Sequence, residues 1–296
     1  MASDTWNVLV TGGAGYVGSL LVPALLSAGH KVSILDLYLY GDDIFKDIRG
    51  HAGLRELKGD IRDPKAVELA VEGCNAVIHL ACISNDPSYD LDPQLGKSIN
   101  YDSFLPLVKK AKQSGVRRFI YASSSSVYGI SEEPDVHEGL PLKPLTDYSK
   151  FKALCERHLQ DEATADFTVC TIRPSTVCGY APRQRLDVVV NIFANHAYHL
   201  GKIKVFGGTQ KRPNIHIRDM VDVYLHLLEQ PDYKIAGKIW NAGYENKTLL
   251  ELADIVRGVI GMHIAVEIVP TDDLRSYHVS SQKITQEIGF VPRHTI

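Results

Sequence analysis

Cysteine is scarce and unpatterned in this chain. Cys74, Cys82, Cys155, Cys170 and Cys178 are scattered, with no CxxC pair, which argues against a metal-binding or redox motif. Cys82, Cys170 and Cys178 sit among apolar neighbours and are expected to be small buried hydrophobes. An excess of one charge is also missing. The 32 lysines and arginines nearly balance 35 aspartates and glutamates, for a net charge of −3, so no electrostatic footprint favours nucleic acid or an anionic membrane. No uninterrupted apolar run reaches the length of a membrane span, and the N-terminus lacks a basic region followed by an apolar stretch and a cleavage site. A cytoplasmic protein without a metal is the expectation. Repeats and low-complexity tracts are absent too.

What is present is an ordinary globular composition, 45% hydrophobic and 23% charged. A length of 296 residues suits one large α/β unit, or a nucleotide domain with a smaller companion. Short apolar runs at Asn7–Thr11, Lys31–Asp36, Ala76–Leu80, Arg118–Ala122 and Phe167–Arg173 read as strands. Tyr16–Ala28, Lys97–Ser114 and Thr146–Ala163 carry apolar residues at helical spacing. Alternating strands and helices predict a doubly wound parallel sheet covered on both faces. After Arg173 the rhythm loosens. A helical segment runs to about Leu200, and short strand-like runs surround Val205, Ile215 and Trp240. The expected division is a first domain over 1–175, to which the chain returns around 212–245, and a smaller, interleaved C-terminal lobe over 176–296. The sequence stops soon after Ile288–Phe290, where a further helix is expected.

The first strand runs directly into Thr11-Gly-Gly-Ala-Gly-Tyr-Val-Gly18. Gly12, Gly15 and Gly18 form GxxGxxG between a strand and a helix. Glycines there permit the tight turn, let backbone approach a pyrophosphate and bring helix against strand, while the helix N-terminus offers N–H groups to the phosphates. The second strand ends in Asp36, at the spacing of a ribose-binding acid. A carboxylate there accepts hydrogen bonds from both ribose hydroxyls and repels a 2′-phosphate, and Leu37 supplies no cation for that phosphate. NAD is expected over NADP.

Tyr148 and Lys152 lie four residues apart and so share one helix face. A free tyrosine titrates near pH ~10, and a neighbouring ammonium, with the positive nicotinamide of NAD⁺, favours the phenolate needed in a base. The same helix follows a serine-rich strand end, Tyr121-Ala-Ser-Ser-Ser-Ser-Val-Tyr-Gly129, placed where open α/β sheets bind ligands. A serine there can hold a reacting oxygen and share its proton with Tyr148.

Together the glycine trio, Asp36, His79-Leu-Ala81, Ser124 and Tyr148/Lys152 resemble the extended short-chain dehydrogenases/reductases, and within them the nucleotide-sugar epimerase/dehydratase branch. The resemblance covers nearly the whole chain, including Arg212-Pro-Asn-Ile-His-Ile-Arg-Asp219 and the closing Tyr277…Ile288-Gly-Phe290. It implies a Rossmann-type NAD domain with a smaller C-terminal substrate lobe. Ser124, Tyr148 and Lys152 would be catalytic. Around NAD it implies Gly12, Gly15, Tyr16, Val17 and Gly18 at the phosphates and Asp36 at the ribose. Asp60 and Ile61 match an adenine-contacting segment, Leu80 and Ala81 border the cofactor, and Asn100 lies towards the nicotinamide, with Tyr148 and Lys152. On the substrate side it implies Ser84, Ser125, Thr176, Arg185 and Arg275, with Asn191 and Arg212 on a diphosphate, a group suited to paired arginine hydrogen bonds.

The departures narrow the chemistry. Sugar 4,6-dehydratases carry Asp-Glu where this chain has Ser125 and Ser126, so dehydration is not expected. Thr176 stands where an asparagine is frequent, and Pro270 where an arginine is frequent, with Arg275 nearby to take its place. Pro-Arg-Gln-Arg-Leu-Asp, with Arg183, Arg185 and Asp187, is similar to a subgroup that includes heptose-nucleotide 4-dehydrogenases. A solvated charge cluster accounts for it equally well. The expectation is a nucleotide-sugar epimerase acting through a transient keto sugar, most simply at C4. The alternatives are a nucleotide-sugar 4-dehydrogenase or ketoreductase and, from another class, an NAD-sensing regulator, against which the intact Tyr148 and Lys152 argue. A homodimer is also expected: in the family, helices equivalent to Lys97–Ser114 and Thr146–Ala163 pair with their copies in a four-helix interface. Tyr101, Phe104, Leu105, Val108, Phe151, Leu154 and Leu159 exceed what one sheet face needs.

Overall fold

A computed structural model describes residues 5–84, 86–131, 133–271 and 278–296, without the side chains of residues 86 and 87. Arg275 and Tyr277 lie outside the described residues. In chain order the strands are β1 (Asn7–Thr11), β2 (Lys31–Asp36), β3 (Leu54–Lys58), β4 (Ala76–His79), β5 (Arg118–Ala122) and β6 (Thr168–Pro174), then β7 (Thr176–Cys178), β8 (Lys202–Phe206), β9 (Lys211–His216), β10 (Lys238–Ala242), β11 (Glu245–Thr248) and β12 (Ala265–Val269). Seven of them form one sheet in the order β10-β6-β5-β4-β1-β2-β3, and every pairing in it is parallel.

The centre of this sheet is buried on both faces, which is why its strands read as continuous apolar runs. Val8 and Val10 of β1 point into one core, with helices Gly18–Ser27 and Ile217–Glu229. Leu9 points into the other, with helices Pro64–Val71, Phe104–Gln113 and Asp147–Asp161. The chain leaves β1 towards β2 on one side and returns to β4 on the other, so the strand order reverses beside β1. That reversal opens a crevice at the carboxyl ends of β1 and β4, where such sheets take ligands.

The strand predicted around Trp240 is β10, which returns to pair with β6 at the sheet edge. β3 was not foreseen. As the opposite edge strand its five residues, Leu-Arg-Glu-Leu-Lys, are only half-buried or exposed, so no apolar run announces it. The helix expected over Lys97–Ser114 is broken. A π-helical turn at Ser98–Asp102 precedes the α-helix Phe104–Gln113, a distortion often found at functional sites. Beyond the sheet, helices Val189–Leu200 and Leu249–Ile260 pack with the parallel pair β8–β12 around a separate core that includes Phe193, Ile203, Val205 and Leu252. Between this lobe and the main sheet run β7, β9 and β11. Among the described residues no helix is long and apolar enough to cross a membrane.

Candidate active site

A cleft of about 660 Å³ opens at the carboxyl edge of the parallel sheet. The glycine loop, the end of β2, the Gly59–Ile61 turn, the segment after β4, the serine turn and the Tyr148 helix all reach it.

At one end the site is made of backbone. Gly12 has φ +73°, and a Cβ there would lie 2.7 Å from Ala81 Cα, so only glycine lets the first turn sit against the loop after β4. A Cβ on Gly18 would lie 2.3 Å from Gly13 O. The helix Gly18–Ser27 starts at Val17 with no side-chain cap and no acidic residue in its first turn. Ser19 N and Leu20 N bond back to Gly15 O and Val17 O, and the N–H groups just before them, at the head of the helix, face the cleft, as an anion site requires. Asp36 is oriented by two backbone donors, Ala14 N to Oδ2 at 3.0 Å and Tyr38 N to Oδ1 at 2.8 Å. Tyr38 itself has φ +53°, an uncommon conformation for a side chain of that size. Each carboxylate oxygen keeps a further lone pair for a ribose hydroxyl. Burial raises the Asp36 pKa, against the backbone donors and the positive charge of Arg183. An uncapped helix, close glycines and an oriented carboxylate fit NAD.

Arg183 corrects one part of the sequence reading, in which nothing cationic stood near the ribose. It comes from the segment after β7, lines the cleft, and stacks its guanidinium 3.6 Å from the Tyr40 ring centroid. Tyr16 joins the glycine loop to that same segment: its hydroxyl donates to Gly179 O at 2.6 Å and accepts from Asn191 Nδ2 at 3.0 Å. Burial pushes the Tyr16 pKa to about 12.

At the other end the site is made of side chains. Thr146 caps the helix Asp147–Asp161 in a reciprocal box with Ser149, which starts the helix so that Tyr148 and Lys152 face the serine turn. Tyr148 and Lys152 are both buried. Lys152 Nζ donates to Ala122 O at 2.7 Å and lies 5.9 Å from the Tyr148 ring centroid. Burial raises the Tyr148 pKa, and Lys152, Arg185 and a hydrogen bond with Ser124 pull it the other way. Lysine was the influence visible in sequence; in the protein alone burial outweighs it, and a cationic nicotinamide bound in the cleft would act in the same direction as the lysine. Burial pulls the Lys152 pKa down, but Cys82, Tyr148 and Cys155 more than offset it, so the ammonium is retained. Ser124 Oγ accepts from the backbone N–H of Ser126 at 3.1 Å and from its hydroxyl at 2.9 Å.

Beneath this end lies a buried polar network. Arg173 donates from Nη2 to Glu156 Oε2 at 2.6 Å and from Nε to Oε1 at 3.0 Å, with both side chains 4% exposed. Ser123 donates to the same carboxylate. Arg173 Nη1 also donates to the Tyr128 hydroxyl at 2.8 Å, which in turn donates to Asn241 Oδ1 at 2.7 Å. Glu156 belongs to the Tyr148 helix, Arg173 to β6 and Tyr128 to the serine turn, so one ion pair ties the three together.

The cleft gathers Gly12, Gly15, Tyr16, Val17, Gly18, Asp36, Asp60, Ile61, Leu80 and Ala81 with Ser124, Tyr148 and Lys152. Of the residues assigned to the substrate it gathers Ser84, Ser125, Thr176 and Arg185. Asp60 is held by Arg62, whose hydrogen bonds lower its pKa. Arg185 forks onto Asp187 at 2.9 and 3.0 Å and donates to Ser84 O at 3.3 Å. Three expected residues are not among the lining. Asn100 is buried in the π-helical turn and braces the segment after β4, accepting from Ile83 N at 2.8 Å and donating to Ile83 O at 2.9 Å. Asn191 spends its amide on Gly179, Tyr16 and Arg185. Arg212 sits on β9. Arg275 lies outside the described residues.

Sequence reading missed Cys82, the Arg183–Tyr40 stack and the Glu156–Arg173 pair, and it named Ser126 only as the replacement of a dehydratase's base. Cys82 is a further correction: it is half-buried and lines the cleft, whereas Cys170 and Cys178 are core residues. Only its position, one residue after His79-Leu-Ala81, signalled this. The dimer face also shrinks, because Phe104, Val108 and Leu159 are consumed in the core under the sheet. Tyr101, Leu105, Phe151 and Leu154 remain partly exposed.

The sequence profile of the NAD-dependent epimerase/dehydratase family matches residues 8–243. UDP-glucose 4-epimerase of Corynebacterium glutamicum is 27% identical, over 98% of this chain and 92% of that protein. Among solved structures, the Thermus thermophilus UDP-glucose 4-epimerase complex with NAD superposes with a TM-score of 0.85 at 26% identity, covering 98% of this chain and 95% of that one. MoeE5 in complex with UDP-glucuronic acid and NAD does so with a TM-score of 0.85 at 25% identity, covering 98% and 94%. With the family profile spanning the sheet, the glycine loop and the Tyr148 helix, the chain belongs to the NAD-dependent epimerase/dehydratase family, and its cofactor is NAD.

Proposed function

We propose that this enzyme is a nucleotide-sugar 4-epimerase, with a UDP-sugar as the first substrate class to test. The observation that carries the reading is the meeting of Ser124, Tyr148 and Lys152 at one end of the cleft, where a dehydratase's acid and base are replaced by Ser125 and Ser126. The relatives that act on or bind UDP-sugars support the substrate class.

In this reading Gly12, Gly15 and Gly18 admit the cofactor's pyrophosphate and Asp36 takes its ribose hydroxyls. When bound there, NAD would supply the hydride acceptor and donor that inversion at a sugar carbon needs. The protein's own work is with protons and position. Tyr148, held as phenolate beside the Lys152 ammonium, removes the proton of the sugar hydroxyl and later gives it back. Ser124 holds that oxygen, and Lys152 fixes the nicotinamide ribose. Ser84, Ser125, Thr176 and Arg185 surround the sugar. Division into an NAD domain over 1–175 and a substrate lobe over 176–296 follows the same reading, with β10 lent back to the main sheet.

Tyr148→Phe tests it. The variant removes one oxygen and keeps the ring, so NAD affinity should persist while turnover falls by roughly 10² or more, the worth of a positioned acid–base group. Full activity in the variant would sink the assignment. We further propose a homodimer through the remaining face of Tyr101, Leu105, Phe151 and Leu154. Light scattering should then report about twice 32.8 kDa, and a monomer at all concentrations would refute it.

A further inference from the structure

Ser126 has no place in the mechanism above, yet it commits both acceptor sites of the catalytic hydroxyl. A serine hydroxyl has one proton to donate and two lone pairs to accept with. Ser124 Oγ accepts from Ser126 N at 3.1 Å, as the cap of the short helical turn Ser125–Tyr128, and from Ser126 Oγ at 2.9 Å. Both lone pairs are thereby occupied. The role left to Ser124 is donation, and Tyr148, which lines the same cleft, is the acceptor that the proposed mechanism supplies. Ser126 and Ser124 both line the cleft, and the turn that carries them is fastened from below through Ser123 and Tyr128 to Glu156 and Arg173.

We propose that Ser126 is a positioning residue: by filling both lone pairs of Ser124 Oγ it makes the Ser124 hydroxyl an obligate donor, which serves the Tyr148 oxygen while the base is ionised and the sugar oxygen once the proton has moved to Tyr148. This rests on the reading of Tyr148 as the base. The proton route follows. Ser124 has no lone pair with which to take the sugar's proton, so no relay passes through it. The sugar O–H bond breaks and a new O–H bond forms on Tyr148 in one transfer, and the electron pair left on the sugar oxygen closes the carbonyl as hydride departs to NAD. A hydroxyl donating to a phenolate makes a charge-assisted bond, so Ser126 favours the ionised base without touching it.

The test is titration of Tyr148 by phenolate absorbance in the NAD-loaded protein, with Tyr148→Phe as the blank for the remaining tyrosines. Ser126→Ala should move the Tyr148 titration upward by about half a pH unit or more, and Ser126→Thr, which keeps the hydroxyl, should restore it. Ser124→Ala should move it at least as far. An unchanged titration in Ser126→Ala would overturn the proposal. So would a downward shift, which would mean that Ser126 accepts the Ser124 proton and competes with Tyr148 for it. A shift that Ser126→Thr fails to restore would reduce Ser126 to a packing role. If no titration distinguishes the parent protein from Tyr148→Phe, the assignment of Tyr148 as base fails first, a result separable from all the others.

Discussion

The two ends of the cleft are built from different materials. At the nucleotide end the determinants are backbone: Gly12 against Ala81, Gly18 against Gly13, an uncapped helix, and one carboxylate aimed by two peptide N–H groups. At the sugar end they are side chains from three separate segments, held in register by the Glu156–Arg173 pair. The backbone end is sensitive to any added carbon and is specified by contiguous residues. The side-chain end depends on polar groups that are costly to leave unpaired once buried. Chemistry at the side-chain end can therefore change through single side chains, whereas any carbon added at Gly12 or Gly18 meets backbone.

This contrast can be broken from either side. The largest effect is expected from Glu156→Ala, which strands the Arg173 guanidinium in a site where both side chains are 4% exposed. Breaking a buried pair in this way costs about 3–5 kcal/mol, read as a lower urea midpoint, and replacing both partners with methionine should recover part of the loss. An unchanged midpoint would show that the network does not hold the sugar end together. Next comes Gly12→Ala, which demands φ +73° of an alanine and drives its Cβ to 2.7 Å from Ala81. Strain of this kind costs on the order of 1–3 kcal/mol, and calorimetry should show NAD affinity reduced about tenfold or more. Wild-type affinity would mean that the close approach is incidental. The smallest effect is expected from Asp36→Ala. With water able to replace the carboxylate, the loss lies at the low end of what hydrogen bonds to a charged group are worth, about 1.5 kcal/mol, so NAD should weaken by about tenfold, and the nearby Arg183 should let NADP bind comparably. A variant that still rejects NADP would assign that discrimination elsewhere.

The nucleotide end was legible because its signals are local. β1, the glycines, the helix and Asp36 follow one another within thirty residues (Asn7 to Asp36), and each has a propensity that marks it. Tyr148 and Lys152 were legible for the same reason, being one helical turn apart. What stayed hidden depends on contacts between distant segments. Arg183 meets Tyr40 only because the segment after β7 folds back over the glycine loop. Glu156 and Arg173 look like ordinary helix and strand charges until the sheet buries them. Asn100, placed beside the nicotinamide by resemblance, also bonds to Ile83 from within the π-helical turn, a contact that a 3.6-residue period does not foretell. β3 escaped because an edge strand needs no apolar run. Burial of Tyr148, which reverses the net direction of its pKa relative to what Lys152 alone implies, is a property of the fold and not of any local spacing.

The most direct measurement is incubation of the NAD-loaded enzyme with UDP-glucose and UDP-glucuronic acid in turn, following the sugar by NMR and reduced nicotinamide by absorbance. The account predicts that one of these substrates converts to its C4 epimer while NADH stays far below one equivalent of product. A keto sugar formed with stoichiometric NADH would contradict epimerisation and make the enzyme a dehydrogenase. A 4,6-dehydrated sugar would overturn the reading of Ser125 and Ser126.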